Sequence, residues 1–150
     1  MEDKNGQGKI NKEYDVMQVL LEADPEKVKM PIGKIEIKRL SEALGKPVYF
    51  TCKAVPVDKY NNIQKDSVKY DDEGGIEDIE ITDTQIFTII EGTIKPNFKN
   101  DALMKHYGAP TPKELVKKIL PLPGEINHVY RYIKKLSGDR KDIIQEIKNE

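Results

Sequence analysis

The rhythm of apolar and polar residues changes several times along this chain, and each change predicts an element. From Lys34 to Lys38 apolar and charged residues alternate with period two, and Pro47 to Val55 alternates again through Val48, Phe50, Cys52 and Ala54. Both segments predict strands with one buried face. The connection Arg39 to Lys46 contains Gly45 and has room for one helical turn at Ser41-Glu-Ala-Leu44. Pro56 ends the second strand, and Val57 to Lys65, with Tyr60 and Ile63 facing inward, predicts a short helix. Tyr70 to Asp78 reads as an acidic loop around Gly74-Gly75. Ile79, Ile81 and then Gln85 to Ile94 are rich in β-branched residues and predict further strand, stopped by Pro96.

Beyond Pro96 the rhythm becomes helical and carries its punctuation. Asn97 or Asn100 can cap a first helix, and Gly108 can close it in a left-handed conformation. Thr111 and Glu114 have the spacing of a capping box, with Pro112 at the first helical position, where its missing N–H costs nothing. The helix that starts there puts Leu115, Val116, Ile119 and Leu120 along one side. In the next helix Ile126, Val129, Tyr130, Ile133 and Leu136 form a stronger stripe, and Gly138 follows its end. Both stripes must be buried. Strands first and helices gathered at the end make an α+β fold, a small antiparallel sheet followed by a C-terminal bundle of short helices.

Two flanks stand outside this plan. Residues 1–13 are polar, contain glycine and lack periodicity, so a disordered N-terminal arm is expected. Tyr14 to Ala23 carries Val16, Met17, Val19, Leu20 and Leu21, enough for one to three helical turns, closed by Asp24-Pro25. A linker from Pro25 to Pro31 detaches that helix, which can dock on a neighbouring surface or another copy, or pack back on its own domain. After Gly138, residues 139–150 place Ile143, Ile144 and Ile147 at helical spacing, as a flexible or frayed helical tail or as a handle for a partner. Residues 14–138 are then a single α+β domain, which suits a chain of 150 residues.

Charge adds an asymmetry. The net charge is −1, yet residues 65–94 carry two Lys against nine acids, and residues 95–150 carry twelve Lys or Arg against seven acids. Opposite patches can steer a partner or favour head-to-tail self-association, and they also suit ordinary solvated faces. The lysines lie among acids and lack interleaved aromatics, so no nucleic-acid partner is expected. No apolar run has the length of a membrane span and the start lacks a signal-peptide layout, so a soluble cytosolic chain is expected.

Candidate chemistry is sparse. One cysteine rules out an internal disulfide, and Cys52, alternating with Val48 and Phe50, reads as a small buried hydrophobe. Two distant histidines, His106 and His128, with no CxxC offer no zinc site and no diagnostic catalytic spacing. Gly6-Gln-Gly8-Lys9-Ile10 resembles the end of a phosphate loop, but Asp3 stands where a Gly is needed and Ile10 where a Ser or Thr would hold magnesium. Asp71-Asp72-Glu73-Gly74-Gly75 lacks the acid at the twelfth position that a calcium loop requires. Neither catalysis nor a cofactor is expected. A binding or scaffolding protein is.

The ordered set Leu103-Met-Lys-His-Tyr-Gly108, Thr111-Pro-Lys-Glu-Leu-Val-Lys-Lys-Ile119, Leu122-Pro-Gly-Glu-Ile126 and Leu136-Ser-Gly138 closely resembles the C-terminal half of the XkdN-like phage tail assembly chaperones. The likeness continues more weakly upstream through Ile35-Glu-Ile-Lys-Arg-Leu40 and Gly45-Lys-Pro-Val-Tyr-Phe50, and spans roughly residues 16 to 138. It departs at Pro121-Leu-Pro123, which is richer in proline than the family's junction, and at Asp139-Arg140, which replaces an aromatic residue. The resemblance implies a non-catalytic factor of the host cytoplasm that coats the tape measure protein during tail construction and leaves before the virion is complete. It also implies a longer frameshifted form that recruits the tail tube protein. A tube or baseplate subunit retained in the particle is the alternative, and a small-molecule binding domain a third. Helical stripes are usually a domain's own core, so partner contacts are expected on the flanks, at Val16, Met17, Leu20, Leu21, Ile143, Ile144 and Ile147, with a homo-oligomer as a further expectation.

Overall fold

Short local signals build most of the elements, and the computed structural model describes residues 13–70, 76–79 and 81–147. Helix α1 (Val16–Glu22) starts at Asp15, whose side chain accepts from the Met17 N–H. A 3-10 turn at Pro25–Lys27 follows, capped in the same way by Asp24. The body comprises β1 (Ile32–Glu36), α2 (Lys38–Leu44), β2 (Tyr49–Lys53), α3 (Val57–Ser67), β3 (Val68–Tyr70), β4 (Ile76–Ile79), α4 (Ile81–Gly92), β5 (Thr93–Lys95), α5 (Asp101–His106), α6 (Pro112–Ile119) and α7 (Pro123–Leu136).

The sheet is antiparallel in the order β1-β2-β5, with Ile32 opposite Lys53 and Glu36 opposite Tyr49. Period two decides which face packs inward: Phe50 and Cys52 are buried, whereas Tyr49 and Lys53 are exposed. The α+β class and the C-terminal helices agree with the sequence. The predicted turn at Ser41–Leu44 becomes the two-turn helix α2, closed by Gly45 at φ 70°. Where an acidic loop was expected over residues 70–78, β3 and β4 pair as an antiparallel hairpin, Val68 opposite Ile79.

One expectation is overturned. Residues 85–92 are not strand: they belong to α4, and only Thr93–Lys95 continues as β5. Helix α4 packs against α3, α6 and α7 at once. Thr84, Ile86, Thr88 and Ile89 are buried, and Phe87 and Ile90 are packed partly against the core. A helix covered on several sides loses its polar face and with it the 3.6-residue signature, so its β-branched composition mimics a strand. Thr88 donates its hydroxyl to the Thr84 carbonyl at 2.8 Å, a bond that suits a buried Thr in a helix.

The C-terminal helices follow their punctuation. Asn100 caps α5 by accepting from the Leu103 N–H at 2.8 Å, and Gly108 sits at φ 65° beyond its end. The Thr111 hydroxyl accepts from the Glu114 N–H at 3.2 Å to start α6. Leu115, Val116, Ile119 and Leu120 are all buried, as are Ile126, Val129 and Ile133 of α7. The end of α7 is stitched to the segment that follows β2 by Ser137, which accepts from the Val55 N–H at 2.9 Å and donates to the Ile133 carbonyl at 2.6 Å. Gly92 lets α4 approach α7 closely, for a Cβ there would lie 2.6 Å from Ile133 Cγ2.

Beyond α7, residues 140–144 form bends and turns, and no helix is present over residues 139–147. The expected arm up to residue 12 and the acidic segment 71–75 lie outside the described residues.

Candidate functional site

A groove of about 950 Å³ runs between β1 with the start of α2 on one side and α7 on the other. Gly33 lets Tyr132 of α7 lie close against β1, for a Cβ there would lie 1.8 Å from the Tyr132 hydroxyl oxygen. The partly buried Ile35 and Tyr132 supply its apolar lining above the buried Ile37 and Val129, with Leu122 at one end. Lys38, His128, Arg131 and Lys135 surround that lining, opposed by Glu36. Burial, and secondarily the nearby Cys52 thiol, raise the Tyr132 hydroxyl above its ordinary value, so it stays a neutral hydrogen-bonding group.

Arg39 forms the groove's fixed end. Its Nε donates to Glu125 Oε2 at 2.7 Å and its Nη2 to Glu125 Oε1 at 3.0 Å, a fork that joins the first turns of α2 and α7. The same Nη2 donates to the Ile119 carbonyl at 3.1 Å, at the end of α6. The hydrogen bond to Glu125 raises the guanidinium above its already high ordinary value. Glu125 also lies in the first turn of α7, where a carboxylate complements the positive helix end.

A smaller cavity of about 320 Å³ lies on the other side of α7, lined by Val55, Tyr60, Thr88 and Lys134 among others. Lys134 Nζ sits 5.5 Å from the Tyr60 ring centroid and 5.8 Å from that of Tyr130, and 3.4 Å from Asp139. Partial burial opposes its charge, yet the two tyrosines and Asp139 together leave its ammonium held more firmly than usual.

Reactive groups are placed as follows. Burial pushes the Cys52 thiol up to about 11, which keeps it protonated at neutral pH. His106 and His128 are exposed, the former edge-on to Tyr107 at 5.1 Å between ring centroids. Among the described residues no three His, Cys, Asp or Glu side chains gather as a metal site, and no helix is long and apolar enough to cross a membrane. What the surface offers is apolar contact with charge around it.

The sequence-predicted contact residues all lie outside the core. Val16, Met17, Leu20 and Leu21 are 62 to 74% exposed, and no residue of α1 is buried. Ile144 and Ile147 are exposed by 82% and 76%, while Ile143, at 50%, lies near Gly138 at the end of α7. The groove itself escaped the sequence reading. Its lining comes from two distant segments, residues 35–39 and 122–135, and only Tyr132, three residues after Val129 and beside the main stripe, hinted that α7 has a second apolar edge.

Comparison with known proteins gives this surface its context. The model of the phage XkdN-like tail assembly chaperone family matches residues 17–148. The uncharacterized protein YqbN of Bacillus subtilis strain 168 is 27% identical over 132 residues, covering 84% of this chain and 86% of that one. The phage-like element PBSX protein XkdN of the same strain is 26% identical with the same coverage. The crystal structure of YqbN shares the fold, with a TM-score of 0.60 at 21% identity, over 86% of this chain and 100% of that chain. With 132 of its 150 residues inside the family match, this chain belongs to the XkdN-like phage tail assembly chaperones.

Proposed function

We propose that this chaperone binds the tape measure protein and keeps it soluble while the tail is built, without transforming a substrate. One observation carries the reading: the fold leaves apolar side chains outside its core on both flanks, on α1 and on Ile143, Ile144 and Ile147. A tape measure protein is a long helical chain whose apolar stripes would aggregate if bare, and exposed aliphatic side chains can cover such stripes. In this reading the protein acts in the host cytoplasm and leaves before the particle is finished. A longer frameshifted form would bring in the tail tube protein.

Co-expression tests it. The tape measure protein is expected in the supernatant with the wild-type chain and mostly in the pellet with Ile144→Asp/Ile147→Asp. A tape measure protein that pellets equally with and without the wild-type chain would sink the proposal. Recovery of this chain in purified particles would favour a retained tube or baseplate subunit.

A further inference from the structure

We propose that the open edge of β1, alongside the basic stripe of α7, takes up an extended acidic segment of a partner protein as a fourth strand of the sheet. The contact is separate from the apolar flanks and holds whatever client they cover.

Backbone comes first. The sheet order β1-β2-β5 leaves β1 at a margin. The Ala54 N–H donates to the Pro31 carbonyl and the Ile37 N–H to the Val48 carbonyl, each at 3.0 Å, and backbone groups alternate in direction along an antiparallel pair. Pro31, Gly33, Ile35 and Ile37 therefore face β2, and the N–H and C=O groups of Ile32, Lys34 and Glu36 face outward. Among the described residues no hydrogen bond reaches those outward groups. Such a row is paired by another extended backbone. A helix spends its own N–H and C=O groups internally and cannot pair it.

Charge selects the occupant. Helix α7 runs beside β1 in the opposite sense, with Tyr132 at Gly33 and Glu125 at Arg39. His128, Arg131 and Lys135 fall at i, i+3 and i+7 along it, are exposed, and line the groove together with Lys38 of α2. The acids of the groove are Glu36 and Glu125, and Glu125 is already held by Arg39. Lys34, midway along the edge, discourages pairing with a neutral or basic strand.

Spacing agrees with a strand. Arg131 and Lys135 stand about 6 Å apart along the axis, four residues at a helix rise of about 1.5 Å, and alternate residues of a strand recur every ~6.7 Å. A strand laid on β1 thus carries every second side chain past the α7 stripe at nearly the stripe's own interval. Carboxylates at those positions meet the basic side chains in register, which adds steering and specificity to the backbone pairing.

Fluorescence anisotropy with a labelled, end-blocked heptapeptide of alternating Val and Glu tests this on the full chain, beside a counterpart of alternating Val and Lys. The Glu peptide is expected to bind and the Lys peptide not. Arg131→Glu/Lys135→Glu, which alters exposed side chains only, should weaken the Glu peptide roughly tenfold and let the Lys peptide bind instead. N-methylation separates strand addition from plain charge attraction: methylating the amides along one side of the Glu peptide should abolish binding, and along the other side should leave it. The bound peptide should also slow hydrogen exchange at the amides of Ile32, Lys34 and Glu36. A Glu peptide that fails to bind, equal binding of the Glu and Lys peptides, equal loss from both methylation patterns, or unchanged exchange along β1 would each overturn the proposal. Exchange along β1 that slows with the chain's own concentration and admits no peptide would give the edge to a second copy, and would overturn it too.

Discussion

Arg39 and Glu125, 86 residues apart, meet through two parallel hydrogen bonds of 2.7 and 3.0 Å that clamp the first turn of α2 to that of α7. The pair fixes one end of the groove, while the carbonyl of Ile119 takes the guanidinium's remaining reach and draws in α6. A fork of this kind depends on planarity as much as on charge. Arg39→Lys is therefore expected to behave like Arg39→Ala, lowering the urea midpoint without restoring the clamp. A double-mutant cycle with Glu125→Gln should show coupling between the two positions. Additive midpoint changes would mean that the contact contributes nothing.

Gly92 and Ile133 set the distance between α4 and α7. A methyl group at Gly92 would lie 2.6 Å from Cγ2 and 2.9 Å from Cδ1 of Ile133, itself wholly buried, so a neighbour must move. Gly92→Ala is expected to destabilise the fold by about 1–3 kcal/mol, the usual cost of overpacking a core. Shortening the opposing side chain in Gly92→Ala/Ile133→Val should return part of that loss. Denaturant titration of the four proteins would reveal it as non-additivity.

Cys52 links stability to pH. Burial raises its thiol from the ordinary 9.0 to about 11 in the folded chain. A group whose folded value is raised contributes stability that is fully present below the unfolded value and is lost as pH rises through the folded one. The urea midpoint should thus fall between about pH 9 and pH 11, and fall less for Cys52→Ala, which is weaker throughout because of its cavity. Thiol reagents at pH 8 should label Cys52 only after unfolding.

The parts that local chemistry governs were legible in the order of residues. Asn100, Thr111, Pro112 and Gly108 act on backbone groups within three or four positions of themselves, so helix starts and ends could be read off directly. The stripes on α6 and α7 were legible because each helix keeps one face in water, and the period survives wherever a polar side remains.

What needed the tertiary structure was whatever depends on being surrounded or on meeting at a distance. Residues 81–92 have the composition of a strand, and packing by α3, α6 and α7 together accompanies their helical form; propensity is a weak prior beside such burial. The groove arises where Gly33 faces Tyr132 and Arg39 faces Glu125, pairings between segments with no local trace of one another. The exposed flanks were visible beforehand as apolar residues beyond the core pattern. That no residue of α1 is buried among the described residues, while basic residues gather around the groove between β1 and α7, is a fact of three dimensions, because burial belongs to the folded neighbourhood and not to the residue.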